Sequence, residues 1–148
     1  MPRPRLLTAL CMTAVFVAGC GSSNQTPSFV ARATAVCVKA NAAVEHLGQP
    51  TNLAGAKSEL RVLIVTEQAE LTGLKALTPP SAQRAAYAVV LRTLPEMRQG
   101  TKELLADVSA GDYSAYKHEL QDEPSRVAEP LPKAWQALGL PLCGTLYG

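Results

Sequence analysis

Apolar residues along this chain fall into one short unbroken run followed by four segments with helical spacing. The run, Leu6 to Ala18, is interrupted only by Thr8 and Thr13. The first periodic segment spans about 28–47, with Val30, Ala33, Cys37, Val44 and Leu47 separated by three, four or seven positions, so that all five share one face. Gly48 and Pro50 end it. A second segment, about 53–77, carries Leu60, Ile64, Leu71, Leu74 and Leu77 behind Asn52 as a cap. Thr78-Pro79-Pro80 stops it and opens the next, because proline suits a first helical turn and not an interior.

The third segment, about 80–109, lines Tyr87, Leu91, Leu94, Leu105 and Val108 along one side. Pro95 falls within it and predicts a kink, since its ring clashes with the preceding turn and one hydrogen bond is lost. Gly111 then Asp112 read as a helix stop followed by a new cap. In the fourth segment Tyr113, Tyr116 and Leu120 begin a helix that Pro124 is expected to break. Val127, Leu131, Trp135 and Leu138 resume the spacing despite Pro130 and Pro132, and Gly139-Leu140-Pro141 ends it. Val62-Leu63-Ile64-Val65 is too short and too well embedded in a helical pattern to signal a strand. The fold class this predicts is all-α: an antiparallel up-down four-helix bundle with a proline-broken last helix.

The leading apolar run changes the picture of location. Arg3 and Arg5 precede it without any acid, which makes a basic n-region and an apolar h-region of signal-peptide length. It is too short to span a bilayer, for which about 20 apolar residues are needed. Pro4 separates the two arginines, so the general secretory route is expected. The run closes on Val17-Ala18-Gly19-Cys20, which resembles the lipobox of bacterial lipoproteins: a branched apolar residue, two small ones, then the cysteine. That resemblance implies a diacylglyceryl thioether on Cys20 and cleavage before it, with acyl chains anchoring the protein to the extracytoplasmic face of a cell membrane. An ordinary signal peptide cut nearby, or an uncleaved anchor, is the competing reading. The expected division is therefore a signal peptide at 1–19, a small, polar, flexible tether at 20–27 and a helical domain at 28–148.

Processing also sorts the four cysteines. Cys11 leaves with the signal peptide and Cys20 takes lipid, which leaves Cys37 and Cys143 to bridge in an oxidising compartment. Such a bridge closes a loop of about 100 residues and staples the C-terminal tail to the first helix. The pair has no Cys-x-x-Cys spacing to favour a metal or redox role.

Charge follows the same logic. The full chain holds 14 Lys and Arg against 12 Asp and Glu; without Arg3 and Arg5 the balance is neutral. No basic stripe remains to neutralise phosphates, so nucleic acid is not an expected partner.

The mature region also resembles small lipoproteins of GC-rich bacteria, which share an early helix with A-x-x-x-C, a leucine followed by a Pro-Pro hinge, and a terminal L-G-L-x-x-C. Here these are Ala33 to Cys37, Leu77 to Pro80 and Leu138 to Cys143. The resemblance covers most of the mature chain and implies fold and location only. The proline-rich fourth segment departs from the uninterrupted last helix of that pattern.

Candidate chemistry is sparse. His46 and His118 each neighbour a glutamate, but adjacent helical positions diverge, so neither pair forms a site by itself and both read as exposed helix-end residues. Neither Gly-x-Ser-x-Gly, Ser-x-x-Lys nor a glycine-rich phosphate loop occurs. The carboxylate pairs Glu67 with Glu70 and Asp122 with Glu123 read as solvent-face decoration. Asn41, Glu67 and Arg98 each interrupt an apolar line. Three readings stand open for them: a polar pocket in which Arg98 holds an anionic ligand against Asn41, a buried Glu67–Arg98 pair fixing register, or three residues at the rim of a drifting stripe. Tyr113, Tyr116 and Trp135 read as core, with a partner-binding surface as the other possibility.

The expected function is that of a non-enzymatic envelope lipoprotein, without cofactor or metal, presenting a helical bundle to another envelope component. The alternative is a lipoprotein that binds a small ligand or metal between its helices.

Overall fold

A computed structural model describes residues 27–118 and 130–147 of the 148-residue chain, the side chains of 145–147 excepted. All regular structure among the described residues is helical. Helix α1 spans Phe29–Val44, α2 spans Leu53–Lys75 and α3 spans Arg84–Ala110 behind a single 3-10 turn at Ser81–Gln83. A helical stretch at 113–118, here α4, follows. After it come α5, Pro130–Ala137, and a 3-10 segment at Pro141–Tyr147, here the tail.

The boundaries follow from local chemistry. The Ser28 and Asn52 side chains each accept a hydrogen bond from a backbone N–H three residues on, at 3.2 and 2.9 Å, capping α1 and α2. Asp112 caps α4 in the same way through the N–H of Ala115, 3.0 Å away. At the other ends, α3 and α5 each close on a glycine in the left-handed region, Gly111 (φ 105°) and Gly139 (φ 70°). Both closures use the paired bonds of a Schellman motif: Asp112 N–H to the Asp107 carbonyl with Gly111 to Val108, and Leu140 to Trp135 with Gly139 to Gln136. Pro130 and Pro132 sit in the first turn of α5, where the N–H groups they lack have no intrahelical acceptor. α3 runs on through Pro95. The break expected at Pro124, together with Leu120 and Val127, lies outside the described residues.

The interior has two parts. The larger gathers Phe29, Ala33 and Cys37 from α1, Leu71 and Leu74 from α2, Tyr87, Val90 and Leu94 from α3, and Leu131, Ala134 and Trp135 from α5, closed by Leu138, Leu140 and Cys143. Phe29 meets the Tyr87 ring edge-on, with centroids 5.2 Å apart. The smaller holds Ala56, Leu60, Val108 and Tyr116. Helix length explains the division. With a rise of about 1.5 Å per residue, the 23-residue α2 and 27-residue α3 outreach the 16-residue α1. Their far ends are covered by α4 instead.

The predicted stripes hold with local differences. Leu60, Leu71 and Leu74 are buried on α2 as expected, whereas Ile64 is half-buried. On α3, Val90 joins the core while Leu91 and Leu105 only flank it. α1 and α2 approach closely at Gly73, where a Cβ would stand 3.0 Å from both methyls of Val36.

That contact sets a test. Gly73→Ala is expected to destabilise the domain by roughly 1–2 kcal/mol, as overpacking exceeds the helix-propensity gain. Gly100→Ala, whose Cβ would meet nothing within 4 Å, is expected to stabilise it by about 0.5–1 kcal/mol. Urea-unfolding midpoints should move in opposite directions; equal shifts would refute the close α1–α2 approach.

Candidate functional site

The most heavily built region is the clasp between α1 and the tail. Cys37 lies on the inward face of α1, one turn beyond Ala33, and bonds to Cys143 across a sequence separation of 106 residues. Both cysteines are fully buried. One turn further along α1, the Asn41 Nδ2 donates to the Leu142 carbonyl at 3.0 Å, so the residue preceding Cys143 is fixed to α1 as well. Trp135, 1 % exposed, lies beneath, with its Cδ1 3.6 Å from where a Cβ on Gly144 would stand. From the other side, Gln83 Nε2 donates to the Leu138 carbonyl at 3.2 Å, tying the entry of α3 to the end of α5. Val38 and Leu142 flank the disulfide and are half exposed.

The remaining polar candidates line the seam between α2 and α3. Glu67 accepts from the Thr101 hydroxyl at 2.9 Å, and Arg98 donates to Gln68 Oε1. Gln68 in turn donates to Thr72 at 3.0 Å. The seam thus brings Glu67 and Arg98 together through neighbouring partners, while Asn41 reaches from α1 to the tail. Both Glu67 and Arg98 are half-buried.

Glu70 corrects the reading of its pair with Glu67 as solvent decoration: it is 1 % exposed, among the largest fully buried side chains of the domain. The signal for this was present. Glu67 follows Leu60 by seven positions and Glu70 precedes Leu74 by four, which places both carboxylates on the inward line. Asp122 and Glu123 lie outside the described residues.

The three aromatics of the fourth segment do not form one cluster. Trp135 belongs to the larger core, whereas Tyr113 and Tyr116 stack on each other at the far end of α2 and α3, with centroids 5.8 Å apart. The Tyr113 hydroxyl donates to the Pro50 carbonyl at 2.6 Å and Lys117 Nζ sits 5.0 Å above its ring. Tyr116 donates to Glu59 Oε2 at 3.0 Å. Burial raises the Glu59 pKa and that hydrogen bond opposes the rise. Asp112 shifts downward, held ionised by the Ser114 hydroxyl and the Ala115 N–H. In the larger core, burial pushes the Tyr87 phenol up to about 12 while its hydroxyl donates to the Leu74 carbonyl.

His46 and His118 are both exposed, and no group of three or more potential metal ligands occurs among the described residues. Comparison of the chain with family models, with curated proteins and with solved structures finds no match to any of them.

Two measurements probe these ends of the domain. The double substitution Cys37→Ala with Cys143→Ala is expected to cost about 2–5 kcal/mol in urea unfolding. Amide exchange should quicken in α1 and the tail before it does in α2 and α3; uniform quickening would show the staple to be dispensable for holding α1.

Glu59 supplies the pH dependence. A carboxyl whose folded pKa lies above its unfolded value has its full stability below the unfolded value and loses it as pH rises through the folded one. Glu59→Gln keeps an acceptor for Tyr116 and removes that loss. The variant should therefore be more stable than the parent at pH 7, with the difference shrinking as pH falls toward about 4.5 and absent below it. A difference that grows on acidification would refute the burial of this carboxyl.

Proposed function

We propose that the protein is an extracytoplasmic lipoprotein, anchored to the membrane by lipid on Cys20, that presents a non-enzymatic helical domain to another component of the cell envelope. The observation that carries this reading is the buried Cys37–Cys143 bridge following a basic-apolar leader that ends in Val17-Ala18-Gly19-Cys20. A structural disulfide needs an oxidising compartment, and the leader supplies a route to one. Lipid is the means of attachment in this reading. Among the described residues no helix is long and apolar enough to cross a membrane.

An antiparallel up-down bundle is part of the same proposal. Its support is the order of side-chain pairs between α2 and α3 and on into α4: Leu74 with Tyr87, Gln68 with Arg98, Glu59 with Tyr116. Numbers fall along one partner as they rise along the other, as in helices that run in opposite directions. Arg98 and Thr101 of α3 donate to Gln68 and Glu67 of α2, hydrogen bonds that fasten the two helices. This favours a scaffold for contact over a catalytic centre.

The test is the intact mass of protein extracted from bacterial membranes, with and without reduction and alkylation. Expected is the mass of residues 20–148 plus diacylglyceryl, with two alkylatable thiols that appear only after reduction. Cys20→Ser should shift the protein out of the membrane fraction. A wild-type chain recovered without lipid, or a Cys20→Ser chain still held on the membrane, would overturn the anchor.

A further inference from the structure

Helix α2 turns its two kinds of charge in opposite directions. Its three acids face inward: Glu59 accepts from Tyr116, Glu67 accepts from Thr101 and Glu70 is 1 % exposed. Its outward side carries Val65, 69 % exposed, and Val62, 36 % exposed. Val65 is the most exposed large apolar side chain among the described residues. Both belong to one line, Ser58, Val62, Val65, Ala69, Thr72 and Ala76, whose members alternate by four and three positions. All six are exposed and uncharged, and the line runs about 27 Å along the helix.

Cations edge this line on both sides. Toward α3 stand Arg61 and Lys75, seven positions before and after Gln68, whose Oε1 accepts from Arg98. Arg84 and Lys102 share the Arg98 side of α3, fourteen positions before it and four after. Toward α1, Gly73 packs on Val36, and Lys39 follows Val36 by one turn. Lys39, Arg61, Lys75, Arg84 and Lys102 are all exposed, and among the described residues none of their side chains is ion-paired. The exposed acids of the flanking helices point elsewhere. At 3.6 residues per turn, Glu45 falls opposite Val36, nine positions away on α1. Glu96, Glu103 and Asp107, two, five and nine positions from Arg98, fall on the far side of α3.

We infer that this face of α2 seats an α-helix of another envelope protein, one whose apolar 3–4 stripe is edged by Asp and Glu. The inference rests on the reading of the domain as a surface presented to an envelope component, and it gives the surface and the partner's chemistry. The small side chains at 58, 69, 72 and 76 let a second helix lie close, at the roughly 8–10 Å between axes that packed helices use. Val62 and Val65 then interlock with its apolar stripe, while its carboxylates meet Arg61 and Lys75 on one edge and Lys39 on the other. Charge along such edges sets partner choice and orientation. A bilayer fits less well, because interfacial faces use Trp, Phe and Leu, and this line holds none of them. A second copy of the chain would set like charges edge to edge.

Two designed probes read the face. They are fluorescein-labelled helical peptides of about five turns with leucine at 3–4 spacing, one edged by glutamate and the other by lysine. The full lipidated chain, verified by mass, is held in phosphatidylcholine nanodiscs and titrated by fluorescence anisotropy. The parent is expected to bind the glutamate-edged peptide at least about tenfold more tightly than the lysine-edged one. Val65→Glu, and the pair Arg61→Glu with Lys75→Glu, should each weaken that binding about tenfold or more. The charge-reversed pair should also turn the preference toward the lysine-edged peptide. Ala137→Glu, at an exposed position on α5, should leave both affinities as they are.

Failure has distinct forms. A lipidated chain that binds both peptides alike, or neither, overturns the inference and leaves the anchor standing. Weakening by Ala137→Glu equal to that by Val65→Glu also overturns it, since binding would then follow net charge alone. A parent chain that self-associates, and separates on Val65→Glu, overturns it in favour of a second copy. Release of the glutamate-edged peptide by phosphatidylglycerol vesicles that Val65→Glu no longer binds overturns it in favour of a lipid surface. A chain without lipid that still discriminates the two peptides overturns the anchor and leaves this inference standing.

Discussion

The arrangement depends on the covalent joint between Cys37 and Cys143. α1 buries Phe29, Ala33, Cys37 and Ala40. Two of these four are alanines, whose burial removes little apolar area from water, and the hydrophobic return scales with that area at about 25 cal/mol per Å². Such a helix holds weakly to its neighbours through packing alone. A bond that closes a loop of this length removes unfolded-state freedom, worth up to about 4.7 kcal/mol in the chain-entropy model. It compensates for what the small side chains leave out.

Small side chains also have a positive role. Gly73 lets α1 approach α2 until the Val36 methyls lie within 3.0 Å of where a Cβ would stand. The tail has its own constraint, since the left-handed turn at Gly139 redirects the chain after α5 and aims Cys143 back toward α1. The α2–α3 pair holds together differently. Leucine, valine and tyrosine fill its interior and hydrogen bonds such as Thr101 to Glu67 fasten its seam. The domain combines a packed helix pair with a flank that is sewn on.

How much of this was legible in the sequence depended on the range of the interaction. Caps and stops are local, and Asn52, Gly111 and Asp112 each do what their residue types and neighbours indicate. The inward placement of Cys37 follows from one helical face and was equally legible. Glu70 stood on the inward line by its spacing to Leu74, but its carboxylate argued for solvent; Val90 was not read, because a stripe along a single helix leaves open how wide the covered face is. Width is set by how many neighbours pack against it, and α2 and α3 are each covered on more than one side. The separation of Trp135 from Tyr113 and Tyr116 was hidden for a related reason. Proximity in sequence suggested one cluster, but the length difference between α1 and the central pair creates two cores, and each aromatic joins the one its own helix covers. Asn41 sat on the apolar line of α1 as a visible anomaly. Its hydrogen bond to the Leu142 carbonyl, a partner 101 positions away, required the tail's path to be known.

Charge shows the same limit from the opposite direction. Net charge is a sum over the chain, and for the mature region that sum is zero. What a partner meets is a surface, and surfaces are assembled by topology. Residues 27–44 and 130–147 are far apart in sequence and each has a modest composition of its own, with three cations between them and no acid. Only when the disulfide joins them do exposed Val38 and Leu142 come to flank one joint. The bond that compensates for weak packing of α1 is thus also the bond that sets these two distant segments side by side. Stability and surface character at this end of the domain are consequences of one constraint, and a change that loosens the first disperses the second.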